Sequence, residues 1–283
     1  MRILLQYAMS FIASAGLAFL IVFAALYAGA SGASPPTAIP AASSTQQLPP
    51  DLQQALRMPA GLEQTKAVVA AAKAWGEKDA KGYLTWALTL PMPLYGPVQQ
   101  SASVCGKSPH VQAGVDWLIQ QDSPKVTMLL HGVTLGWAHE DMAAAEAWCL
   151  QLQTTRDNRY VSIFTVADAL CRKDPKSAVA WTATLTAPDD RKAALDGTVT
   201  IWIRGGYAAM TTWIQQLSLP EMKWAALVAA RNWRAKRERP DLTLAAWLDQ
   251  LPLSALDKAE IGKGPYPDSY HISKYQPALQ LKE

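Results

Sequence analysis

At 283 residues, half of them hydrophobic, the chain holds enough apolar side chains for one large core or a series of small ones, which excludes a disordered protein. Only 17% of the residues are charged, and 26 Lys and Arg stand against 23 Asp and Glu, a formal net charge of +3. Without a concentrated basic face, that near-neutral total argues against nucleic acid as a partner.

From Ile3 to Ala28 no residue is charged, and Leu, Ile, Phe, Ala and Val dominate. A helix of about 20 apolar residues crosses the hydrocarbon core of a bilayer, so this stretch predicts one transmembrane signal anchor over residues 1–30. A cleaved signal peptide ending near Ala28-Gly29-Ala30 is the competing reading; its apolar region would run only about 7 to 15 residues, shorter than the stretch seen. Arg2 and the terminal amine precede the anchor, and the next basic residue is Arg57. The positive-inside rule then leaves the N-terminus in the cytoplasm, the anchor in the inner membrane, and the rest of the chain in a periplasm or its equivalent.

Residues 31–52 read as a spacer rich in Pro, Ala, Ser and Thr. Up to residue 50 it has neither charge nor aromatic ring and cannot bury enough surface to fold. Prolines at 35, 36, 40, 49 and 50 bias it toward a semi-rigid extension, which sets a reach of up to about 60 Å from the bilayer.

Residues 53–257 predict an all-α repeat domain, an α-solenoid of about six helical hairpins. Its signature is the spacing of Trp86, Trp117, Trp148, Trp181, Trp213 and Trp247, which lie 31, 31, 33, 32 and 34 residues apart. Four residues before each ring stand Gly82, Ala113, Ala144, Ser177, Ala209 and Thr243; four after it stand Leu90, Gln121, Leu152, Leu185, Leu217 and Leu251. Those positions share one helix face, where a small residue admits a neighbouring helix and Trp with Leu fills the space between. Asp79, Asp141 and Asp174, seven residues before their tryptophans, suit N-caps, and Pro175 suits the first helical position. Three units lack the aspartate, with His110, Gly206 and Pro240 in its place. Pro91, Pro124, Pro188, Pro220 and Pro252 are expected to end the tryptophan helices. Apolar runs such as Lys66 to Glu77 and Trp224 to Arg237 supply the other helix of a pair.

The pattern Trp-x-x-x-Asp-(Pro)-x-x-Ala-x-x-Trp-x-x-x-Leu, complete in the third unit, resembles the tandem tryptophan-containing helical-hairpin repeats of bacterial envelope proteins. More loosely it is similar to the tetratricopeptide class, whose Gly-x-x-Tyr and later Ala and Pro positions are not reproduced in register. The resemblance covers about 200 residues. It implies an α-solenoid used as a binding scaffold and names no ligand.

Beyond the repeat, residues 258–283 carry Gly and Pro punctuation from Gly262 onward and tyrosines at 266, 270 and 275, which predicts an extended tail. Cys105, Cys149 and Cys171 are an odd set in an oxidising compartment; Cys149 and Cys171 could pair across hairpins, against the favoured reading of small buried side chains.

Signs of chemistry are few. The histidines at 110, 131, 139 and 271 share no repeat position, and His139-Glu140-Asp141 reads as a turn and cap rather than a metal site. No cofactor, metal or catalytic residue is expected. Glu77, Glu140 and Glu146 are weighed as general acids of a helical glycan-cleaving enzyme, but the sequence announces no apolar pocket to raise a carboxyl group's pKa. A polysaccharide-binding protein is the alternative in which tryptophans line a groove; Trp202 and Trp224, weakest in the repeat frame, are then the rings expected to be exposed. In the basic cluster around 231–239, Arg231, Arg234 and Arg237 are candidate contacts for a partner. The favoured function is a membrane-anchored scaffold or accessory subunit that binds other proteins of an envelope complex.

Overall fold

A computed structural model of the chain describes residues 47–263 apart from 91, 204–205 and 236–242. The anchor expected at 1–30, most of the spacer and residues 264–283 of the tail lie outside the described residues. Within them no helix is long and apolar enough to cross a membrane. The described chain is all-helical: fourteen α-helices, one 3₁₀ segment and no strand.

A short helix, α1 (Pro50–Leu56), precedes the pair α2 (Leu62–Gly76) and α3 (Ala80–Thr89), which carries Trp86. Next come α4 (Met92–Gln100), the 3₁₀ segment (Ala102–Lys107) and α5 (Val111–Leu118) with Trp117. The third pair is α6 (Val126–Glu140) with α7 (Met142–Gln151), and the fourth α8 (Arg156–Lys173) with α9 (Pro175–Thr184). Then follow α10 (Pro188–Trp202) with α11 (Tyr207–Ile214), α12 (Leu219–Ala235) with α13 (Leu244–Leu248), and a last helix, α14 (Ala255–Lys263).

The first members of these pairs pack in chain order, α2 on the 3₁₀ segment, that segment on α6, then α6 on α8, α8 on α10, α10 on α12 and α12 on α14. Each tryptophan helix packs on its own partner and on the first helix that follows it.

Local chemistry sets the boundaries. Asp79 Oδ1 accepts from the Gly82 amide at 2.8 Å, Asp141 Oδ1 from Ala144 at 3.0 Å, and Asp174 from Lys176 and Ser177, with Pro175 first in its helix. His110 occupies the cap position of α5 without a side-chain bond. Gly206 caps α11 at φ 156, ψ 132, a conformation that side chains resist, so only glycine serves there.

Several expectations shift. Pro188 and Pro220 do not end tryptophan helices; they sit in the first turns of α10 and α12, where no amide hydrogen is needed. Termination falls instead to Leu90, Leu152 and Leu185, C-caps with extended backbone whose side chains are buried. In the sixth unit Thr243 is itself the cap, bonded to the Ala246 amide at 3.2 Å, so α13 begins a turn later than its predecessors. The place of a long first helix in the second unit is taken by α4, which contains Pro97, and the 3₁₀ segment.

Helical structure also extends past both expected edges of the repeat domain. Helix α1 includes residues 50–52 of the expected spacer because Pro50 starts it and Leu52 and Ala55 are buried. Helix α14 includes residues 258–263 of the expected tail. Ser254 Oγ and Asp257 form a capping box, bonded at 2.6 Å between side chains and 3.1 Å to the Asp257 amide, and Ile261 is buried.

Small residues let the layers close. A methyl group placed on Gly136 of α6 would lie 1.8 Å from the Ser103 carbonyl oxygen, and one on Gly106 2.1 Å from the Gly136 backbone. A methyl on Gly197 of α10 would lie 2.3 Å from the Phe164 carbonyl oxygen of α8. These are backbone contacts, so no flexible side chain can yield. Gly136→Ala is expected to cost about 3 kcal/mol in urea unfolding by overpacking, whereas Gly262→Ala, with open space around it, changes stability by under about 1 kcal/mol.

Candidate functional site

The six repeat tryptophans sit inside the stack. Trp86, Trp148, Trp181, Trp213 and Trp247 are buried, and Trp117 is half-buried against the core. Four of them meet a second indole from the preceding helix, in the pairs Trp75–Trp86, Trp137–Trp148, Trp202–Trp213 and Trp233–Trp247, with centroids 6.1, 5.7, 5.5 and 5.8 Å apart. Trp202, expected to be exposed, is thus the stacked partner of Trp213 and half-buried. Trp224 is also half-buried; its Nε1 donates to the Lys192 carbonyl at 3.2 Å, and the Lys192 ammonium lies 5.7 Å from its ring.

Two of the repeat tryptophans also reach across units through their indole N–H, Trp148 Nε1 to Asp116 Oδ1 at 2.8 Å and Trp247 Nε1 to Thr211 Oγ1 at 2.8 Å. Burial of an indole contributes up to about 5 kcal/mol, from about 200 Å² at ~25 cal/mol per Å². Exposed ion pairs contribute under about 1 kcal/mol each. Packing therefore outweighs surface charge in this stack.

Charged first turns form a second recurring feature. Arg159 of α8 pairs in two-pronged fashion with Asp190 of α10 (2.9 and 2.7 Å), Arg191 of α10 with Glu221 of α12, and Lys223 of α12 with Asp257 of α14 (2.7 Å). Arg159 also donates to the carbonyl oxygens of Cys149, Leu150 and Leu152 at the end of α7. Lys125 does the same for Leu88 and Leu90 at the end of α3, and burial pulls its pKa below the usual lysine value.

A third feature is a seam of polar side chains running laterally between the first helices. His131 Nδ1 of α6 is 2.8 Å from Thr165 Oγ1 of α8. Tyr160 of α8 donates to Asp196 Oδ2 of α10 at 2.8 Å, and Arg231 of α12 donates to Asp196 Oδ1 at 2.6 Å. Thr200 Oγ1 adds a bond to Asp196 Oδ1, and Asn232 Nδ2 donates to Thr200 Oγ1, both at 3.1 Å. Burial, reinforced by the Asp196 carboxylate, pushes the Tyr160 hydroxyl far above its ordinary value and keeps it a donor. Of the basic cluster, Arg231 is half-buried and paired with Asp196, while the Arg234 side chain and Arg237 lie outside what is described.

The weighed glutamates do not converge. Glu77 is ion-paired to Lys107 at 3.1 Å, Glu140 is exposed at the end of α6, and Glu146 on α7 is half-buried, its carboxyl raised by desolvation. Cys105, Cys149 and Cys171 are all free and buried, with burial holding the Cys149 and Cys171 thiols up to about 12. Among the described residues no group of His, Cys, Asp or Glu is arranged to hold a metal ion.

The seam was missed in the sequence, yet Asp168 and Asp196 stand within apolar helical runs, Val166-Ala-Asp-Ala-Leu and Ala194-Leu-Asp-Gly. An acid there must find a buried partner. Searches against protein-family models, curated proteins and solved structures found no match.

Two outcomes follow from this geometry. Trp148→Phe is expected to cost about 2–3 kcal/mol in urea unfolding, because the Asp116 carboxylate loses its donor; Trp224→Phe, losing a bond to a neutral carbonyl, costs about 1 kcal/mol. His131 has its pKa lowered, first by burial and then by Arg172, with Asp168 opposing. The unfolded chain therefore binds the proton more readily, and stability declines as pH falls through about 6.5, the ordinary histidine value. Melting temperatures between pH 7.5 and 5 should fall more steeply for the native chain than for His131→Gln.

Proposed function

We propose that the chain is a single-pass, membrane-anchored periplasmic scaffold whose helical part is an α-solenoid binding other proteins of an envelope complex. The observation that carries this reading is the serial packing of the first helices from α6 to α14, each on the one before and the one after. Such a stack exposes a long surface relative to its core, which suits an extended protein partner better than a small substrate. The buried indole pairs support it further, since rings sealed between helices are not free to stack on sugars. Among the described residues Glu77, Glu140 and Glu146 lie apart from one another rather than as an acid and base pair for glycan cleavage. The anchor places this scaffold beside other membrane proteins, and the spacer lets it reach over them.

The test is purification of the full chain from membranes in mild detergent, with a variant lacking residues 47–263 as control. A protein recovered in fixed stoichiometry with the full chain and absent from the control is the expected result. Recovery of the intact chain alone, together with quenching of its tryptophan fluorescence by soluble glycans, would replace the scaffold with the polysaccharide-binding reading.

A further inference from the structure

The hydrophobic interior is not one continuous body. One core runs from Leu52 to Ile201 and a second from Leu195 to Ile261, and they meet on α10. That helix gives Ala193, Ala194 and Ile201 to the first core and Leu195 and Val199 to the second, its C-cap Ile203 joins the second, and Trp202 touches both.

Where the cores meet, the helix is polar. Asp190, Asp196 and Thr198 are buried there, and Thr200 is half-buried beside them. The Thr198 hydroxyl and the Arg191 Nε are buried without hydrogen-bond partners, as is Trp233 Nε1 on the adjoining α12. Orphaned polar atoms oppose burial, and the Asp196–Arg231 pair, its carboxylate buried and its guanidinium half-buried, offsets part of its attraction with lost hydration. Three of the four buried polar side-chain atoms left without a partner among the described residues thus lie at this junction, and one carboxylate spans it: Asp196 accepts from Tyr160 of α8 on one side and Arg231 of α12 on the other.

We propose that α10 is an articulation between two units, α1 to α9 and α11 to α14, and that Asp196 is the latch that holds them together. The second unit opens against the first as a body when Asp196 lets go of Arg231. In a stack whose neighbours interact only with neighbours, one weak junction is enough to divide cooperative behaviour. This inference does not depend on what the protein binds.

Hydrogen–deuterium exchange on the full chain in detergent micelles decides it. In the native chain the amides of α11 to α14 should exchange as one group, at least about tenfold faster than those of α6 to α9. Asp196→Asn removes the charge that Tyr160 and Arg231 share and should speed that group by about tenfold more, leaving α2 to α7 unchanged. A triple variant, Tyr160→Phe with Asp196→Leu and Arg231→Met, replaces the polar junction by apolar contact and should bring the second group to the protection of the first. Uniform protection across both units in the native chain, equal acceleration of every helix by Asp196→Asn, or a triple variant that still exchanges in two groups would overturn the proposal.

Discussion

Twelve consecutive residues of α8, from Tyr160 to Cys171, are buried, and a helix without a solvent-facing side imposes a condition on every polar atom it carries. Each must find its partner within the helix or in a neighbour. Ser162 and Thr165 donate back to Asn158 and Val161 carbonyls, Thr165 also meets His131, Asp168 binds Arg172 one turn on, and Tyr160 reaches Asp196. Those solutions tie α8 to α6 on one flank and α10 on the other. Lateral bonding between helices follows from enclosing the helix on all sides.

Enclosure on that scale requires backbones to approach closely, and this is where the small residues act. Gly106 and Gly136 bring the 3₁₀ segment onto α6, and Gly197 brings α10 onto α8. Large rings then fill the wider space on the other side, between the first helix and the tryptophan helix of four units. The same division explains why the second unit tolerates a broken first element: a 3₁₀ segment with a glycine at 106 lies flat against α6 where a longer side chain would hold it away.

Much of this architecture was legible because the indole is large, rare and repeated. The capping aspartates at 79, 141 and 174 were readable for the same reason, since an N-cap has a fixed place relative to the ring that follows. Prolines misled because a proline between two helices can end one or start the next, and Pro188 and Pro220 start them. The Ser254-Asp257 box that begins α14 was hidden by the Gly and Pro residues after it, which drew the boundary too early. Trp202 was a candidate for exposure because its role as partner to Trp213 depends on the facing helix rather than on its own.

The polar seam was the least legible part, for a physical reason. Its bonds between helices join residues 32 to 36 positions apart, as in Thr200 with Asn232, His131 with Thr165 and Tyr160 with Asp196, and the residue types differ at every rung. Packing repeats because each unit must fill the same volume, so its residues recur. A hydrogen bond needs only a donor opposite an acceptor, and many pairs meet that need equally well. Arg231 illustrates the cost of reading charge without its opposite: in sequence it belongs to a basic run beside Arg234, but its nearest requirement is the carboxylate of Asp196 on the previous helix. The buried Asp196 carboxylate is understood from what encloses it, and its partners Tyr160 and Arg231 come from the units on either side.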